Sequence, residues 1–376
     1  MAARSKKHYI SRMDRRQEIN DYLLNAPGHV APLFLLGDCL EVLHSIPNDA
    51  VDCVITSPPY WGQRQYSGGG IGLEDSFQEY INGLLKITDQ LYRVLKPTGS
   101  FWLNLGDTYR NKKLLGIPWR VSIKMMDDQN WILRNSVIWS KHKGGLNSSK
   151  DKLRNTHENI FHFVKDEKKY YYETSKIRSA PRKTIVKNGA VISATGVSGV
   201  RYKRQIELST ALTQEEKKNA LQALNHVLDR ISRHEIADFR MIIRGQQRTT
   251  HSDAEKVSGR AKELAQKGFY FLFYHPDGTL PSDVWEIIPE DTQKRKEHYA
   301  VYPEDLCKIP ILATCPKQGI VLDPFSGSGT TALVALKHNR KSIGIDISAE
   351  YIEISKRRIN EYKNENSGVL QLFNEE

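Results

Sequence analysis

The stretch at residues 319–348, GIVLDPFSGSGTTALVALKHNRKSIGIDIS, constrains the fold of this chain more than any other. An apolar strand (320–322) leads into a glycine-rich turn, and a helix (330–337) then leads into a second apolar strand (342–345). Two neighbouring strands that are connected through a helix run parallel, because a tight hairpin joins only antiparallel strands. The stretch therefore predicts a buried, parallel sheet that is covered by helices.

The same alternation occurs in the first half of the chain. A helix with one apolar face ends at Lys96-Pro97 and separates two apolar runs. Repeated strands and helices of this kind are typical of a doubly wound sheet, so we predict a Rossmann-like, mostly parallel α/β fold. The predicted strands are 33–36, 51–56 and 100–105, with further strands within 131–145 and 159–173.

The composition changes near residue 176. Residues 176–206 contain eight Lys or Arg and no Asp or Glu, and a Thr213-x-x-Glu216 capping box follows. A second helix (253–267) and a strand (269–274) are predicted before the α/β pattern resumes. We therefore predict a recognition region at 178–280 inserted into a catalytic domain. The predicted segments are a basic arm (1–30), the catalytic domain (31–177 and 281–365) and a tail (366–376).

The charge balance favours a polyanionic partner. The chain has 55 Lys and Arg against 44 Asp and Glu, which gives a net charge of +11 and indicates nucleic acid as the partner. Its four cysteines have no metal-binding or disulfide spacing, which suits a reducing compartment. The sequence has no apolar segment that could span a membrane and no secretory signal, so we predict a cytoplasmic protein with no membrane partner.

DPFSGSGTT, at 323–331, has the features of a cofactor site. Gly327 and Gly329 follow a strand and precede a helix, so the backbone can approach a ligand at the helix N-terminus. Asp346, at the end of the next strand, is placed to bind ribose hydroxyls. Ala332 also satisfies the dinucleotide pattern, so spacing alone leaves NAD open. Asp323 favours a cofactor with a cationic amino-acid tail over one with a pyrophosphate.

Ser57-Pro58-Pro59-Tyr60 ends the strand at 51–56 and has the features of a substrate site. Two prolines fix the backbone and remove N–H donors, which leaves the Pro58 carbonyl available to a ligand. Ser57 adds a hydroxyl and Tyr60 a flat ring. These groups suit a planar heterocycle that carries an exocyclic amine.

Together these two motifs resemble those of S-adenosylmethionine-dependent DNA amino-methyltransferases. The order, with the catalytic motif first and the cofactor motif last, resembles the circularly permuted β group of that family. GDCLEVL (37–43), RVLKPTGSFWLNLGD (93–107), DVWEI (283–287) and HYAVYPEDL (298–306) are similar to further family segments. By resemblance, the S-adenosylmethionine site comprises Asp38, Asp323, Pro324, Phe325, Ser326, Gly327, Gly329, Thr330, Asp346, Ile347, Tyr299 and Tyr302.

The resemblance also implies the reaction. Ser57 and Pro58 would accept hydrogen bonds from the amine, Pro59 would stiffen the loop, and Tyr60 would stack on a base flipped out of duplex DNA, with no metal and no covalent intermediate. Members with Ser-Pro-Pro-Tyr usually methylate cytosine N4, whereas adenine-N6 members usually carry Asp at the position of Ser57. We therefore predict a cytosine-N4 methyltransferase of a restriction–modification system, with adenine N6 as the alternative. An RNA methyltransferase and an inactive DNA-binding protein are further alternatives.

The predicted partner is double-stranded DNA, with a cognate restriction endonuclease that acts separately. The protein is expected to be a monomer or a homodimer. Gln63 or Arg64 would lie near the gap left by the flipped base. The predicted DNA-binding residues are Arg64, Arg178, Arg182, Lys183, Lys187, Arg201, Lys203 and Arg204.

Two other patterns are rejected as sites. HENIFH (157–162) lacks metal-binding spacing, because its two histidines are five residues apart and do not share a helix face. No cysteine directly follows a proline, as the nucleophile of cytosine-C5 methyltransferases does.

Overall fold

The fold is taken from a computed structural model that describes most of the chain. The described residues are 12–24, 30–62, 70–141, 150–179, 185–187, 190–193, 196–245, 259–289 and 303–366. The chain divides into two compact units, Met1–Lys176 with Ser282–Glu376 and, between them, Ile177–Pro281. The limits of the predicted insert, 178 and 280, lie one residue inside those of the second unit. Residues 1–11 of the predicted arm and 367–376 of the predicted tail lie outside the described residues.

An eight-stranded sheet forms the centre of the first unit, in the order β1-β15-β14-β2-β3-β7-β6-β13. All neighbouring pairs are parallel except β3 with β7 and β7 with β6. The predicted mostly parallel sheet is therefore confirmed. The strands are β1 (Leu33–Leu36), β2 (Val51–Thr56), β3 (Leu95–Leu105), β6 (Ile132–Ser140), β7 (His157–Val164), β13 (Val284–Glu286), β14 (Ile320–Asp323) and β15 (Lys341–Asp346).

Helices cover both faces of this sheet. On one face α3 buries Tyr80, Leu84 and Leu91 against β2 and β3. On the other face α8 and α9 pack on alternate residues of the same strands, among them Cys53 and Ile55. No helix in the described ranges has the length and apolar character to cross a membrane. The helices of this unit are α1 (Arg12–Leu24), α2 (Cys39–Leu43), α3 (Phe77–Val94), α4 (Ile117–Gln129), α8 (Glu304–Thr314), α9 (Thr330–Lys337) and α10 (Ala349–Glu365).

The prediction of a basic arm at the N-terminus is wrong for residues 12–24, which form α1. Ile19 is fully buried in the core of the first unit, and Tyr22 is buried beside it. The Tyr22 hydroxyl accepts a hydrogen bond from Ser342 N and donates one to Ser342 O, each at 2.9 Å. The phenol therefore pairs both backbone groups of a residue in β15. Ile19 and Tyr22, three residues apart, thus fix this helix in the core, and Leu23 packs against the same core partly buried.

The second unit has its own apolar core. Leu224 and Ile231 from α6 pack on Phe239 and Met241 from β11. The predicted capping box is confirmed, since Thr213 and Glu216 each bond the other's backbone N–H. The elements of this unit are β8 (Ile185–Lys187), β9 (Ala190–Ser193), β10 (Gly196–Val197), α5 (Ser198–Glu207), α6 (Gln214–Ser232), β11 (Asp238–Ile243), α7 (Gly259–Lys267) and β12 (Phe269–Tyr274).

Candidate active site

The two sequence motifs meet at the carboxyl ends of β2 and β14, which are neighbours in the sheet. The helix after β2, α3, packs on one face, and the helix after β14, α9, packs on the other. Chain connections that leave adjacent strands on opposite faces open a crevice at that edge, and open α/β sheets bind ligands there. The fold therefore brings Ser57–Tyr60 and the 323–331 turn to one crevice.

The carboxylate of Asp323 ties the two motifs together. Its Oδ1 accepts hydrogen bonds from Thr56 Oγ1 at 2.7 Å and from Phe325 N at 3.1 Å, and its Oδ2 accepts one from Thr331 Oγ1 at 2.6 Å. The side chain is only 1% exposed. These contacts give Asp323 a positioning role within the protein, and the contact with a cationic tail that was predicted for it stays a prediction.

The glycine-rich turn provides space beside a carboxylate. Gly327 has a φ of +50°, and a Cβ placed on it would meet no atom within 4 Å. Its N–H donates to Asp346 Oδ2 at 2.9 Å, and Ser348 N donates to Asp346 Oδ1 at 2.8 Å. Burial raises the pKa of Asp346, while these backbone donors oppose the shift. The turn and the end of β15 thus form one continuous surface.

Other predicted cofactor residues lie at the same edge. Leu36 pairs with Asp346, so Asp38 follows β1 close to the end of β15, where its carboxylate caps α2. Ser326 Oγ is buried and has no hydrogen-bond partner among the described residues. Ile347 is 39% exposed beside Asp346. An open turn, a carboxylate and an unpaired hydroxyl fit a nucleoside cofactor.

The remaining residues of the predicted cofactor site divide into two groups. Pro324 and Thr330 are buried, Phe325 is partly buried, and Gly329 caps α9 with a φ of +75°. Tyr299 and Tyr302 lie outside the described residues, as do Gln63 and Arg64.

The loop after β2 is held by its flanks. Tyr80 of α3 donates a hydrogen bond to the Pro59 carbonyl at 2.8 Å. Among the described residues none donates to the Pro58 carbonyl, and its predicted role as an acceptor for a ligand stays a prediction. Pro59 therefore anchors the loop, while Pro58 and Ser57 keep acceptor atoms at the crevice.

A hydrogen-bond network holds the Tyr60 hydroxyl. This hydroxyl lies 2.7 Å from Glu158 Oε2, 3.1 Å from Asn104 Oδ1 and 3.1 Å from Ser57 Oγ. Lys141 forms an ion pair with the other oxygen of Glu158, and Asn104 Nδ2 donates to Glu158 Oε2 at 3.1 Å. Burial, followed by the charge of Glu158, raises the pKa of Tyr60 well above its usual value. Tyr60 therefore keeps its proton.

The charge of Glu158 favours one direction for the hydrogen bonds that join Tyr60 to Glu158 and to Ser57. Tyr60 has one hydroxyl proton, and the nearest and only charged acceptor is Glu158. Ser57 must then donate its own proton to the Tyr60 oxygen. The lone pairs of Ser57 Oγ remain free to accept a hydrogen bond from a ligand. Glu158 on β7 thus orients the Tyr60 hydroxyl so that Ser57, directly after β2, can accept a hydrogen bond from a ligand.

Gly106 provides the surface on which the Tyr60 ring packs. A Cβ placed on Gly106 would lie 2.6 Å from Tyr60 Cε2 and 2.8 Å from Tyr60 Cδ2, closer than real atoms approach. Only a glycine at this position, immediately after β3, allows the ring to lie against the backbone.

Sequence reasoning missed Asn104, Gly106, Lys141 and Glu158. Glu158 lies within HENIFH, the segment rejected above as a metal site, which forms the start of β7. His162 in the same strand stacks on Trp102 with ring centroids 4.1 Å apart, and burial lowers the pKa of His162 to about 3. The sequence offered one signal for Asn104 and Glu158: each is a polar residue next to the last or first residue of a buried strand.

The predicted DNA-binding residues of the second unit differ in exposure. Lys187, Arg201, Lys203 and Arg204 are exposed, the last three on α5. Arg178 is partly buried and donates to the Gly278 carbonyl at 2.8 Å, and its predicted phosphate contact stays a prediction. Arg182 and Lys183 lie outside the described residues.

The cysteines are poor nucleophiles. All four are buried, and none forms a disulfide. Burial raises the pKa of Cys39 and that of Cys53 to about 12, and it raises the pKa of Cys315 well above its usual value. The thiolates of Cys39, Cys53 and Cys315 are therefore scarce at neutral pH, which argues against catalysis through any of these three.

Known proteins share both the sequence and the fold. The type II methyltransferase M.SfiI of Streptomyces fimbriatus is 29% identical over 86% of this chain and 90% of its own length. M.SmaI of Serratia marcescens, also a type II methyltransferase, is 27% identical over 86% and 89%. The solved structure of the cytosine-N4-specific PvuII DNA methyltransferase shares the fold, with a TM-score of 0.51 and 18% identity over 91% of this chain and 95% of its own. The profile of the N6/N4 family, described as DNA methylase, matches residues 51–357. This chain therefore belongs to the N6/N4 DNA methylase family, whose methyl donor is S-adenosylmethionine.

Proposed function

We propose that this protein methylates the N4 amine of a cytosine that is flipped out of duplex DNA, as the modification enzyme of a type II restriction–modification system. The observation that carries the proposal is the Ser57–Tyr60–Glu158 network, which leaves Ser57 Oγ as an acceptor in the crevice shared with the glycine-rich turn. The names of the type II relatives support the biological role. Serine in place of aspartate supports cytosine over adenine.

The residues of the crevice account for the reaction. When bound, S-adenosylmethionine supplies a methyl group already activated on a sulfonium. The lone pair of an exocyclic amine is delocalised into its ring, and Ser57 Oγ and the Pro58 carbonyl would accept its N–H groups and favour pyramidalisation. Asp323 holds the two motif loops in register, so the amine is oriented before transfer. Orientation of this kind accounts for a large share of catalysis.

We also propose the division of labour along the chain. Residues 31–177 and 281–365 would form the catalytic domain, and 178–280 would recognise the target sequence. The exposed cations of α5, Arg201, Lys203 and Arg204, are the described residues of this region best placed to contact phosphates. The target base must leave the stack at a cost of a few kcal/mol, roughly, which phosphate contacts can offset.

The test is analysis of the methylated nucleosides. The purified protein is incubated with unmethylated duplex DNA and S-adenosylmethionine, and the DNA is digested to nucleosides for mass spectrometry. We expect N4-methylcytosine. N6-methyladenine alone would refute the choice of base, and the absence of any methylated nucleoside would refute the proposed function.

A Ser57→Ala variant serves as the matched catalytic control. It removes the acceptor and leaves the phosphate-binding surfaces intact. We expect turnover to fall on the order of 10²-fold with DNA affinity nearly unchanged. Turnover equal to that of the wild type would exclude Ser57 from the reaction.

A further inference from the structure

An exposed hairpin leaves the catalytic edge of the sheet immediately after Gly106-Asp107. Its strands are β4 (Tyr109–Arg110) and β5 (Lys113–Leu114), which pair antiparallel. The two residues between them, Asn111 and Lys112, have φ of +48° and +64°. Two central residues in the left-handed region define a type I′ turn. All six residues of the hairpin are exposed.

Lys112 is an unfavourable residue for its place in this turn. The second position of a type I′ turn is most often glycine, because a side chain is strained at positive φ. A lysine held there places a cation at the tip of the hairpin. Backbone strain of this kind is a reason to look for a function of the side chain.

A second basic segment, 150–154, lies beside the hairpin. Lys152 Nζ is 3.3 Å from the centre of the Tyr109 ring, and Lys112 Nζ is 2.8 Å from Asp151 Oδ2. We refer to 109–114 and 150–154 together as the basic surface. Of its eleven residues six are Lys or Arg and one is acidic. The segment leads into β7, whose first residues include Glu158 of the Tyr60 network.

The basic surface adjoins the catalytic loop. Arg110 Cζ lies 5.4 Å from the centre of the Trp61 ring, and Trp61 directly follows Tyr60. Gly106, three residues before the hairpin begins, packs on the Tyr60 ring. One cation of the basic surface, Arg110, therefore lies beside the loop that is proposed to hold the target base, and the others lie on the same hairpin and the segment next to it.

We propose that the basic surface binds the phosphate backbone of the DNA strand that carries the target base. This inference rests on the proposed function, because it assigns phosphate binding to residues at the rim of the crevice in which the target base is proposed to bind. A flipped nucleotide keeps its two flanking phosphates, and cations beside the catalytic loop would hold them in place. The surface lies in the catalytic unit and is distinct from the cations of α5 in the second unit.

The test compares variants of the full-length protein. Lys112→Gly removes the cation and relieves the turn, Lys152→Gln removes a cation outside the turn, and Lys86→Ala on α3 is the control. DNA affinity is measured by fluorescence anisotropy on a duplex that the wild type methylates, over a range of salt concentrations. Thermal unfolding is followed for each variant.

We expect Lys112→Gly to unfold at a temperature equal to or above that of the wild type and yet to bind DNA about 3- to 10-fold more weakly. The slope of log K against log salt should fall by about 0.9 for each lost phosphate contact. Lys152→Gln should behave likewise, and Lys86→Ala should match the wild type. If DNA affinity and salt slope are unchanged in both Lys112→Gly and Lys152→Gln, the inference about the basic surface is overturned. The proposed function would still stand in that case, provided that the wild type methylates the duplex. Failure of the wild type to methylate any duplex would instead reject the proposed function.

Discussion

Replacement of Gly106 by alanine tests the packing that holds Tyr60. The new Cβ would lie 2.6 Å from Tyr60 Cε2, and an ordinary contact begins at 3.4 Å, so the ring must retreat by about 0.8 Å. Overpacking of this kind costs about 1–3 kcal/mol. The movement would also shift the Tyr60 hydroxyl relative to Glu158 Oε2, now 2.7 Å away, and weaken the hydrogen bond between them.

The expected result is a loss of turnover much larger than the loss of stability. A displacement near 1 Å in a catalytic group can cost about 10²-fold in rate. We therefore expect Gly106→Ala to slow methyl transfer on the order of 10²-fold while the protein still folds and binds S-adenosylmethionine. Single-turnover methylation, denaturant unfolding and calorimetric titration of the cofactor measure the three quantities.

Gly83→Ala provides the matched control. A Cβ on Gly83 of α3 would lie no closer than 3.4 Å to Ile71 Cδ1, an ordinary contact. In the middle of a helix this change should stabilise the protein by about 0.5–1 kcal/mol. Wild-type turnover in Gly106→Ala would refute the role assigned to Gly106.

Three further predictions concern other parts of the fold. Glu158→Gln removes the charged acceptor of the network, so methyl transfer should slow about 10-fold with KM for DNA unchanged; a change in KM alone would contradict this. Tyr22→Phe leaves Ser342 N and O unpaired, so denaturant unfolding should show a free energy of unfolding about 2–4 kcal/mol lower. An unchanged free energy of unfolding would show that residues 12–24 form an arm that does not stabilise the fold. Burial lowers the pKa of His162 to about 3, so between pH 6.5 and pH 3 the unfolded chain binds a proton that the folded protein does not. The contribution of His162 to the free energy of unfolding is therefore present above pH 6.5 and is lost as pH falls towards 3. Replacement by phenylalanine should remove this pH dependence from the unfolding free energy, and an unchanged profile would contradict it.

Much of the sheet was predictable because its strands are apolar on both faces. The run at 51–56 is buried along its whole length, and the bounds of β1 and β2 match the prediction. β3 begins at Leu95, five residues earlier than predicted, because Leu95 pairs with Val51; the register then shifts, and pairing resumes at the predicted start of the strand, where Ser100 pairs with Cys53. Local composition therefore identifies the strands better than it identifies their ends.

Contacts that are distant in sequence were not predictable. The residues of 12–24 do not indicate where their helix packs, because Tyr22 bonds a strand more than 300 residues later and Ile19 joins the core of the first unit. Glu158 lies 98 residues after Tyr60, and no local pattern shows that an antiparallel β7 brings the two side chains together. The motifs identified the acceptor atoms, while the groups that orient them depend on the sheet order.

The central claim is that Ser57 Oγ accepts a hydrogen bond from the amine of the target base. It can do so because Ser57 donates its own hydroxyl proton in a hydrogen bond to the Tyr60 oxygen. A double-mutant cycle with Ser57→Ala and Tyr60→Phe tests it, with the rate of single-turnover methyl transfer as the readout. Tyr60→Phe keeps the ring and removes the hydroxyl, so it should slow the reaction about 10-fold in the wild-type background. In the Ser57→Ala background it should cause no further loss. If each substitution slows methyl transfer by the same factor with or without the other, the account is contradicted.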